Sequence, residues 1–200
     1  KTWSFLQIST FDGIMNPRIN QLMLAQDPSF HHPWSNDVCF TSRNDMSKLK
    51  DTLWLCVNDE YDQNFHMPAP GLVTSRYGPR NGRNHNGIDV DLETGDTVYA
   101  TWSGKVRYAK YNDGGFGNLV IIRHPNGLET LYAHLSKFLV YPDQDIVAGE
   151  PIALGGNTGH SYGSHLHFEI RFYDCPMNPE EIIDFTKKDL KNENLFVHKG

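Results

Sequence analysis

From about Pro68 onward, the chain consists of short apolar or alternating runs with no amphipathic helix between them. Because parallel strands need a long crossover, usually a helix, this pattern favours antiparallel pairing. The runs predict eight strands, at residues 72–75, 88–92, 97–101, 105–110, 119–124, 128–134, 151–154 and 166–172. Strands at this spacing predict a mainly β fold, whose antiparallel core is a sandwich or a partly closed barrel.

Turn signals and a change in composition divide the chain into three regions. Residues 1–67 hold polar, turn-prone clusters with weak periodicity, and predict an irregular extension that packs on or near the main domain. Within it, residues 46–55 predict a helical turn that runs into a strand. Residues 68–185 are predicted to form the main domain, and residues 186–200 a C-terminal tail.

Two local patterns inside the main domain predict particular elements. A Pro-Asn-Gly sequence at residues 125–127, between two apolar runs, predicts a β-hairpin. Two glutamates followed by Ile182, Ile183 and Phe185 predict a short C-terminal helix within residues 179–191.

Charge and cysteine content exclude several classes of protein. A formal charge of −6 argues against nucleic-acid binding, which needs a basic surface. The sequence has ten histidines but only three cysteines. Three cysteines are too few for a thiolate-rich zinc scaffold, whereas the histidines leave imidazole chemistry open. The sequence fits two states of the cysteines equally well. In one, Cys39 and Cys56 form a disulfide and Cys175 is left over; in the other, all three thiols are reduced. No apolar run approaches the roughly 18 residues of a membrane span, and no signal peptide follows Lys1.

The first pattern that suggests a metal site is His85-Asn86-Gly87-Ile88-Asp89. On a straight strand, positions four apart lie about 13 Å from one another, too far to share one ion. A shared metal therefore requires a bend, which Gly87 permits, with Asp89 on the opposite side of the next strand from a buried Ile88. Taken alone, the pattern is also typical of a surface turn.

Two further strands carry histidines in alternating sequence. His165 and His167 fall on one face of their strand and Leu166 and Phe168 on the other, so two imidazoles reach the same site. His134 is predicted to lie on the opposite face from its neighbours Ala133 and Leu135. Alone, the first pattern also fits a half-exposed edge strand, and a single strand histidine is usually structural.

Together, these residues include two histidines and a carboxylate, a common ligand set of catalytic zinc sites that leaves a position for water. Two additional histidines remain available for general acid and base catalysis. The sequence has no His-Glu-x-x-His helix, so imidazoles would have to carry the proton transfers.

Eight ordered segments between about Phe65 and Pro179 resemble the motifs of the lysostaphin-type (LytM-like) zinc metallopeptidases, which hydrolyse peptides of bacterial peptidoglycan. They lie at residues 74–80, 85–89, 95–100, 104–106, 117–122, 131–136, 155–159 and 165–169. The resemblance implies an antiparallel sheet core with loops that wall a narrow groove. It also implies a zinc endopeptidase that acts on stem or cross-bridge peptides, and hence an exported protein of the periplasm or cell envelope.

Residue roles follow from the same resemblance. It assigns His85, Asp89 and His167 as zinc ligands, and His134 and His165 as the catalytic pair that deprotonates water and supports the oxyanion. The predicted groove residues are His160, Asn157, Thr158 and Tyr77. Tyr77 stands where the family usually has Phe, and His160 where arginine is common; His160 also fits a solvated loop histidine.

Several alternatives remain open at the level of the sequence. The second possible function is that of a non-catalytic module, which binds cell-wall peptides or regulates another hydrolase. A third and more distant possibility is an amidase that acts at the sugar–peptide junction. Both Gly–Gly bridges and D-Ala–diaminopimelate cross-links fit as substrates. In some relatives a preceding segment covers the groove and adds a ligand. Here His31, His32, His66 or an asparagine would supply it, although packing of the segment on the sheet is favoured. His124 and His198 receive no role.

Overall fold

The computed structural model describes residues 36–37, 53–57, 64–80, 82–172, 174–192 and 194–197. Its strands, in chain order, are β1 (Leu53–Cys56), β2 (Val73–Ser75), β3 (Gly78–Arg80), β4 (Arg83–His85), β5 (Ile88–Asp91), β6 (Thr97–Tyr99), β7 (Gly104–Asn112), β8 (Gly117–Arg123), β9 (Leu128–Leu135), β10 (Lys137–Phe138), β11 (Asp145–Ile146), β12 (Pro151–Leu154), β13 (His165–Phe172), β14 (Cys175–Met177), β15 (Ile183–Asp184), β16 (Asp189–Leu190) and β17 (Asn194–Val197). The helix α1 (Pro179–Ile182) precedes β15.

The main sheet has the strand order β11-β7-β8-β9-β13-β5-β2, with β14 also paired to β13, and every pair is antiparallel. A three-stranded sheet, β10-β12-β6, and three two-stranded pairs accompany it. The end strands of the main sheet do not pair with each other, so the sheet is open. The predicted antiparallel β class is therefore confirmed, in an open form and without barrel closure.

Apolar side chains cover both faces of the main sheet. One face contributes Val90, Val106, Tyr132 and Phe168 to the larger core cluster. The other face carries a smaller cluster that contains Leu119, Leu131 and Ala133. Every residue of β9 is consequently buried, so this strand lacks the exposed face that simple alternation predicts.

All eight predicted strands are present, with ends that differ by a few residues. The Pro-Asn-Gly hairpin is confirmed between β8 and β9. The sequence did not reveal the β3–β4 hairpin, because Gly78 and Pro79 weaken a strand pattern three residues long. The predicted strand in residues 46–55 is present as β1, while the helical turn before it lies outside the described residues.

The C-terminal helix is much shorter than predicted. The side chain of Asn178 accepts a hydrogen bond from the Glu180 N–H and caps α1, which ends at Ile182. Ile183 is already extended and begins β15, which pairs with β16. Two successive β-branched residues favour this early change to extended backbone.

The described part of the chain has no helix long and apolar enough to cross a membrane.

His124, for which the sequence suggested no role, is a buried structural histidine. Its Nδ1 lies 2.9 Å from the Ser103 carbonyl and its Nε2 lies 2.8 Å from the Thr130 hydroxyl, beside the Trp102 ring. Burial lowers the pKa of His124 to about 4, so the ring is neutral at pH 7.

We therefore expect His124 to make stability depend on pH. Since the pKa falls from about 6.5 in the unfolded chain to about 4 in the folded one, the unfolded state binds more protons in this interval. The free energy of unfolding should drop by about 2 kcal/mol between pH 7 and pH 5 because of this group. Urea titrations of the metal-free wild type and of His124→Gln test this; parallel pH profiles would contradict it.

Candidate metal centre

Neighbouring strands bring the predicted site residues to one face of the main sheet. In the β13–β5 pair, His167 lies opposite Asp89 and His165 lies opposite Asp91. On the other side of β13, His167 lies opposite Ala133 of β9. The intervening residues of β13 point into the larger core cluster, as the alternation predicted.

A bend between β4 and β5 brings His85 back over Asp89. Gly87 lies in this bend against β13, where a Cβ atom would stand 2.2 Å from the Phe168 carbonyl oxygen. Glycine is thus required here for close approach of two backbones.

Gly87→Ala should separate the β4–β5 bend from β13. The backbone carbonyl cannot yield as a flexible side chain would, so we expect a loss of about 1–3 kcal/mol in the free energy of unfolding. His85 moves with the bend, so zinc affinity measured by chelator competition should also fall. Gly163→Ala is the matched control, because nothing lies within 4 Å of a Cβ atom there. Unchanged zinc affinity in Gly87→Ala would contradict this account of the bend.

His85, Asp89 and His167 form a compact group of three ligand atoms. His85 Nε2 lies 3.1 Å from Asp89 Oδ1 and 3.1 Å from His167 Nδ1, and these last two atoms are 2.9 Å apart. Four ligands around a tetrahedral ion at about 2.0–2.1 Å stand about 3.3 Å from one another. The three atoms therefore match one triangular face of such a site, and a cation relieves the crowding of three electron-rich atoms.

The pKa values of Asp89 and His167 depend on each other, because the two side chains are hydrogen-bonded. Burial raises the pKa of Asp89, but hydrogen bonds from His167 and His85 outweigh burial and hold the pKa far below its usual value. Burial lowers the pKa of His167, but hydrogen bonds to the Asp89 and Glu169 carboxylates raise it to about 9. In the metal-free protein, His167 is therefore protonated at pH 7, and its positive charge lies between the Asp89 and Glu169 carboxylates.

Four histidines around the centre are each anchored by one ring nitrogen. The outer nitrogens of His85, His134 and His165 lie 2.8 Å from the backbone carbonyls of Arg76, Thr158 and Gly163, respectively. His167 Nε2 instead lies 2.9 Å from Glu169 Oε1. A carbonyl or carboxylate accepts only an N–H, so the contacts of His134, His165 and His167 assign a proton to the outer nitrogen. The outer nitrogen of His85 also lies 2.7 Å from a guanidinium nitrogen of Arg80, which can only donate. In His167 the inner nitrogen carries a second proton in the metal-free protein, and it offers a lone pair once a cation takes the place of that proton.

His134 reaches the site through an irregularity in β9. Its φ of 61° is left-handed, and the β8–β9 register shifts between Asn118 and Val120, as in a β-bulge. Ala133 and Leu135 consequently belong to different clusters, so the prediction that both face away from His134 was wrong. The bulge turns the His134 ring to within 4.7 Å of the His165 ring.

Close packing between two loops holds the His134 anchor. Gly117 has a φ of 65°, and a Cβ atom there would stand 2.5 Å from the Thr158 carbonyl carbon. The Thr158 hydroxyl donates to the Leu135 carbonyl and accepts from the Asn118 N–H. Burial, partly offset by the Thr158 contact, lowers the pKa of His134 to about 4, so its ring is neutral at pH 7.

An open groove of about 550 Å³ lies over these residues. All five predicted ligand and catalytic side chains line it. Three segments contribute to its lining, at residues 83–86, 114–116 and 160–164. The side chain of Tyr162 projects fully into solvent from the last of these segments.

The structure brings only one of the four predicted groove residues to the lining, namely His160. Tyr77 is half-buried, with its hydroxyl 3.4 Å from the Pro176 carbonyl, and Thr158 serves as the anchor described above. Asn157 is exposed beside the groove but not in its lining.

The other predicted residues lie away from the centre or outside the described residues. His66 is exposed, its ring lies 5.0 Å from the Tyr99 ring with the two planes tilted by 52°, and it does not line the groove. His31, His32 and Cys39 lie outside the described residues, as does the side chain of Cys56.

Sequence reasoning missed Glu169 and Arg171 as partners of the centre. Glu169 is 1% exposed, and its second oxygen accepts from Arg171 Nε at 2.6 Å. The signal was present in the alternation, because Glu169 follows His165 and His167 at the same two-residue spacing.

Two imidazoles and a carboxylate that meet on an antiparallel sheet at an open groove could hold a metal ion, and this combination is typical of the metal centres of hydrolases. Comparison with known proteins identifies the particular family. A model of peptidase family M23 matches residues 83–179. The catalytic domain of lysostaphin from Staphylococcus simulans is 31% identical, over 55% of this chain and 90% of that domain, with a TM-score of 0.52. The chain belongs to peptidase family M23.

Two curated bacterial relatives differ in their described roles. The DD-carboxypeptidase/endopeptidase Mpg of Neisseria meningitidis serogroup B (strain MC58) is 45% identical over 100 residues, which are 50% of this chain and 23% of that protein. The murein hydrolase activator NlpD of Escherichia coli K12 is 40% identical over 115 residues, 58% of this chain and 30% of that protein. The chain thus spans less than a third of the length of either relative.

Proposed function

We propose that this chain is a zinc-dependent endopeptidase that hydrolyses peptide bonds in bacterial peptidoglycan. The triangle of His85 Nε2, Asp89 Oδ1 and His167 Nδ1 carries the proposal, because its 2.9–3.1 Å edges suit a tetrahedral ion. Two nitrogens and one oxygen are also the donor types that zinc takes in hydrolases. The descriptions of lysostaphin as an antimicrobial peptidase and of Mpg as a DD-carboxypeptidase/endopeptidase support peptidase activity, and the description of NlpD as a murein hydrolase activator supports a role at peptidoglycan.

Zinc bound at this triangle supplies a Lewis acid that acidifies water and polarises a carbonyl. The chain's own residues then handle the protons. Neutral His134 presents Nε2 to the groove, because its Nδ1–H donates to Thr158, and this atom takes a proton from the attacking water. His165 presents Nε2 likewise and, when protonated, donates to the oxyanion or to the leaving amine.

The domain organisation is also a proposal. We infer that residues 68–185 form the peptidase domain, that residues 1–67 are an extension packed on or near it, and that residues 186–200 are a C-terminal tail. Pairing of β1 with β17 supports this, as does burial of Val57 and Leu195 in the larger core cluster.

A peptidoglycan substrate would place the protein outside the cytoplasmic membrane, in the periplasm or cell envelope.

A second candidate function is activation of another cell-wall hydrolase, which the name of the NlpD relative favours. An activator would leave purified peptidoglycan intact by itself and would accelerate a second enzyme. The two functions differ in whether the zinc-loaded chain alone breaks peptide bonds.

Digestion of purified sacculi of known cross-link type tests the proposal. Zinc-loaded protein should release peptides with new amino termini, and mass spectrometry should identify whether Gly–Gly or D-Ala–diaminopimelate bonds are cut. A chelator should stop the release. Intact sacculi with this chain alone, together with faster digestion by a second purified murein hydrolase when this chain is added, would instead support the activator. Products cut between sugar and peptide would identify an amidase.

A further inference from the structure

Among the four anchored histidines, His167 differs in the chemistry of its anchor. Backbone carbonyls hold the other three rings, whereas the carboxylate of Glu169 holds His167. Both oxygens of this carboxylate are used: Oε1 faces His167 Nε2 at 2.9 Å, and Oε2 accepts from Arg171 Nε at 2.6 Å. All three side chains are buried, so water does not replace these contacts.

We propose that Glu169 is a positioning residue of the metal centre, and that Arg171 fixes the direction in which it acts. Glu169 accepts from His167 Nε2–H and thereby keeps the lone pair on Nδ1, the atom of the ligand triangle. Arg171 occupies the second carboxylate oxygen, which keeps Glu169 from turning toward the ion as a competing ligand. This inference rests on the zinc site proposed above.

Because Glu169 lies between Arg171 and His167, we expect Glu169→Gln to weaken zinc binding more than this small change in the side chain would suggest. Arg171 Nε–H can only donate, so the glutamine oxygen must face Arg171 and its NH₂ group must face His167. An NH₂ group needs a lone pair on His167 Nε2, which moves the ring proton to Nδ1. The ligating atom is then blocked, although the side chain keeps its shape.

Removing Arg171 should reverse this effect. In Glu169→Gln/Arg171→Met, the glutamine is free to turn its oxygen toward His167 and restore the Nε2–H form. The double variant is also balanced in charge, whereas Arg171→Met alone leaves the buried Glu169 without its cation. The expected pattern is therefore rescue of one loss by a second substitution, which a purely structural role would not produce.

Zinc affinity of the full chain, measured by chelator competition, tests the proposal. Glu169→Gln should bind zinc about 10–100-fold more weakly than the wild type, and the same change in the Arg171→Met background should cost about threefold or less. Glu129→Gln is the matched control, because Glu129 is a buried glutamate bonded to Arg107 but lies outside the groove. It should leave zinc affinity unchanged.

Imidazole ¹H–¹⁵N spectra of the metal-free protein supply a readout that does not depend on zinc. The His167 Nε2–H signal should be present in the wild type, lost in Glu169→Gln and restored in the double variant. Wild-type zinc affinity in Glu169→Gln, or a folded double variant without rescue, would overturn this inference. A wild type that binds no zinc but shows the expected spectra would instead overturn the proposed function alone.

Discussion

Replacing His85 with alanine is expected to abolish stoichiometric zinc binding. His85 supplies one of three ligand atoms, and Asp89 and His167 alone leave an ion with two protein contacts. If each ligand carries about a third of a binding free energy near 12 kcal/mol, affinity should fall on the order of 10³-fold. Metal analysis after dialysis, with chelator competition, measures this directly.

A matched histidine variant separates ligand loss from general damage. His66 is exposed and does not line the groove, so His66→Ala should keep both zinc and stability. Thermal unfolding should show that His85→Ala still folds, since its ring is not part of either apolar cluster. Wild-type zinc content in folded His85→Ala would contradict the proposed ligand set.

Replacement of His134 or His165, the proposed catalytic pair, is expected to give the opposite combination, with zinc retained and turnover lost. Neither ring belongs to the ligand triangle, yet both point Nε2 into the groove. General acid–base catalysis contributes about 10²–10⁴-fold, so kcat should fall by that factor in His134→Asn and His165→Ala. Asparagine is chosen at position 134 because it tolerates the left-handed backbone found there.

Zinc content and rate must be measured on the same samples to test this division of roles. His66→Ala again serves as the control and should retain the wild-type kcat. Zinc loss in His134→Asn or His165→Ala equal to that in His85→Ala would contradict the division. Full activity in both would exclude these imidazoles from proton transfer.

Much of the fold was predictable because it depends on local alternation and turn chemistry. The runs around β8 and β9 and the Pro-Asn-Gly turn between them specify a hairpin without knowledge of any other contact. The β-branched residues Ile182 and Ile183 favour an early end of α1, but the pairing of β15 with β16 that follows it leaves no local signal in the sequence. Short strands such as β3 likewise exist only through their partners.

The candidate site was predictable as a set of residues, but not as a geometry. Alternation placed His165 and His167 on one face, and the need for a bend at Gly87 followed from strand dimensions. The direction of the His134 side chain was not predictable, because a bulge with left-handed backbone interrupts the alternation of β9. The carbonyl anchors were also hidden, because backbone acceptors leave no signature in side-chain sequence.

Zinc titration of the metal-stripped chain, with hydrolysis of peptidoglycan cross-links as the signal, tests the central claim most directly. The claim is that one ion held by His85, Asp89 and His167 enables peptide hydrolysis. It predicts no hydrolysis before zinc is added, a linear rise that ends at one equivalent per chain, and no rise in His85→Ala. Undiminished hydrolysis by the stripped chain, or full recovery in His85→Ala, would contradict it.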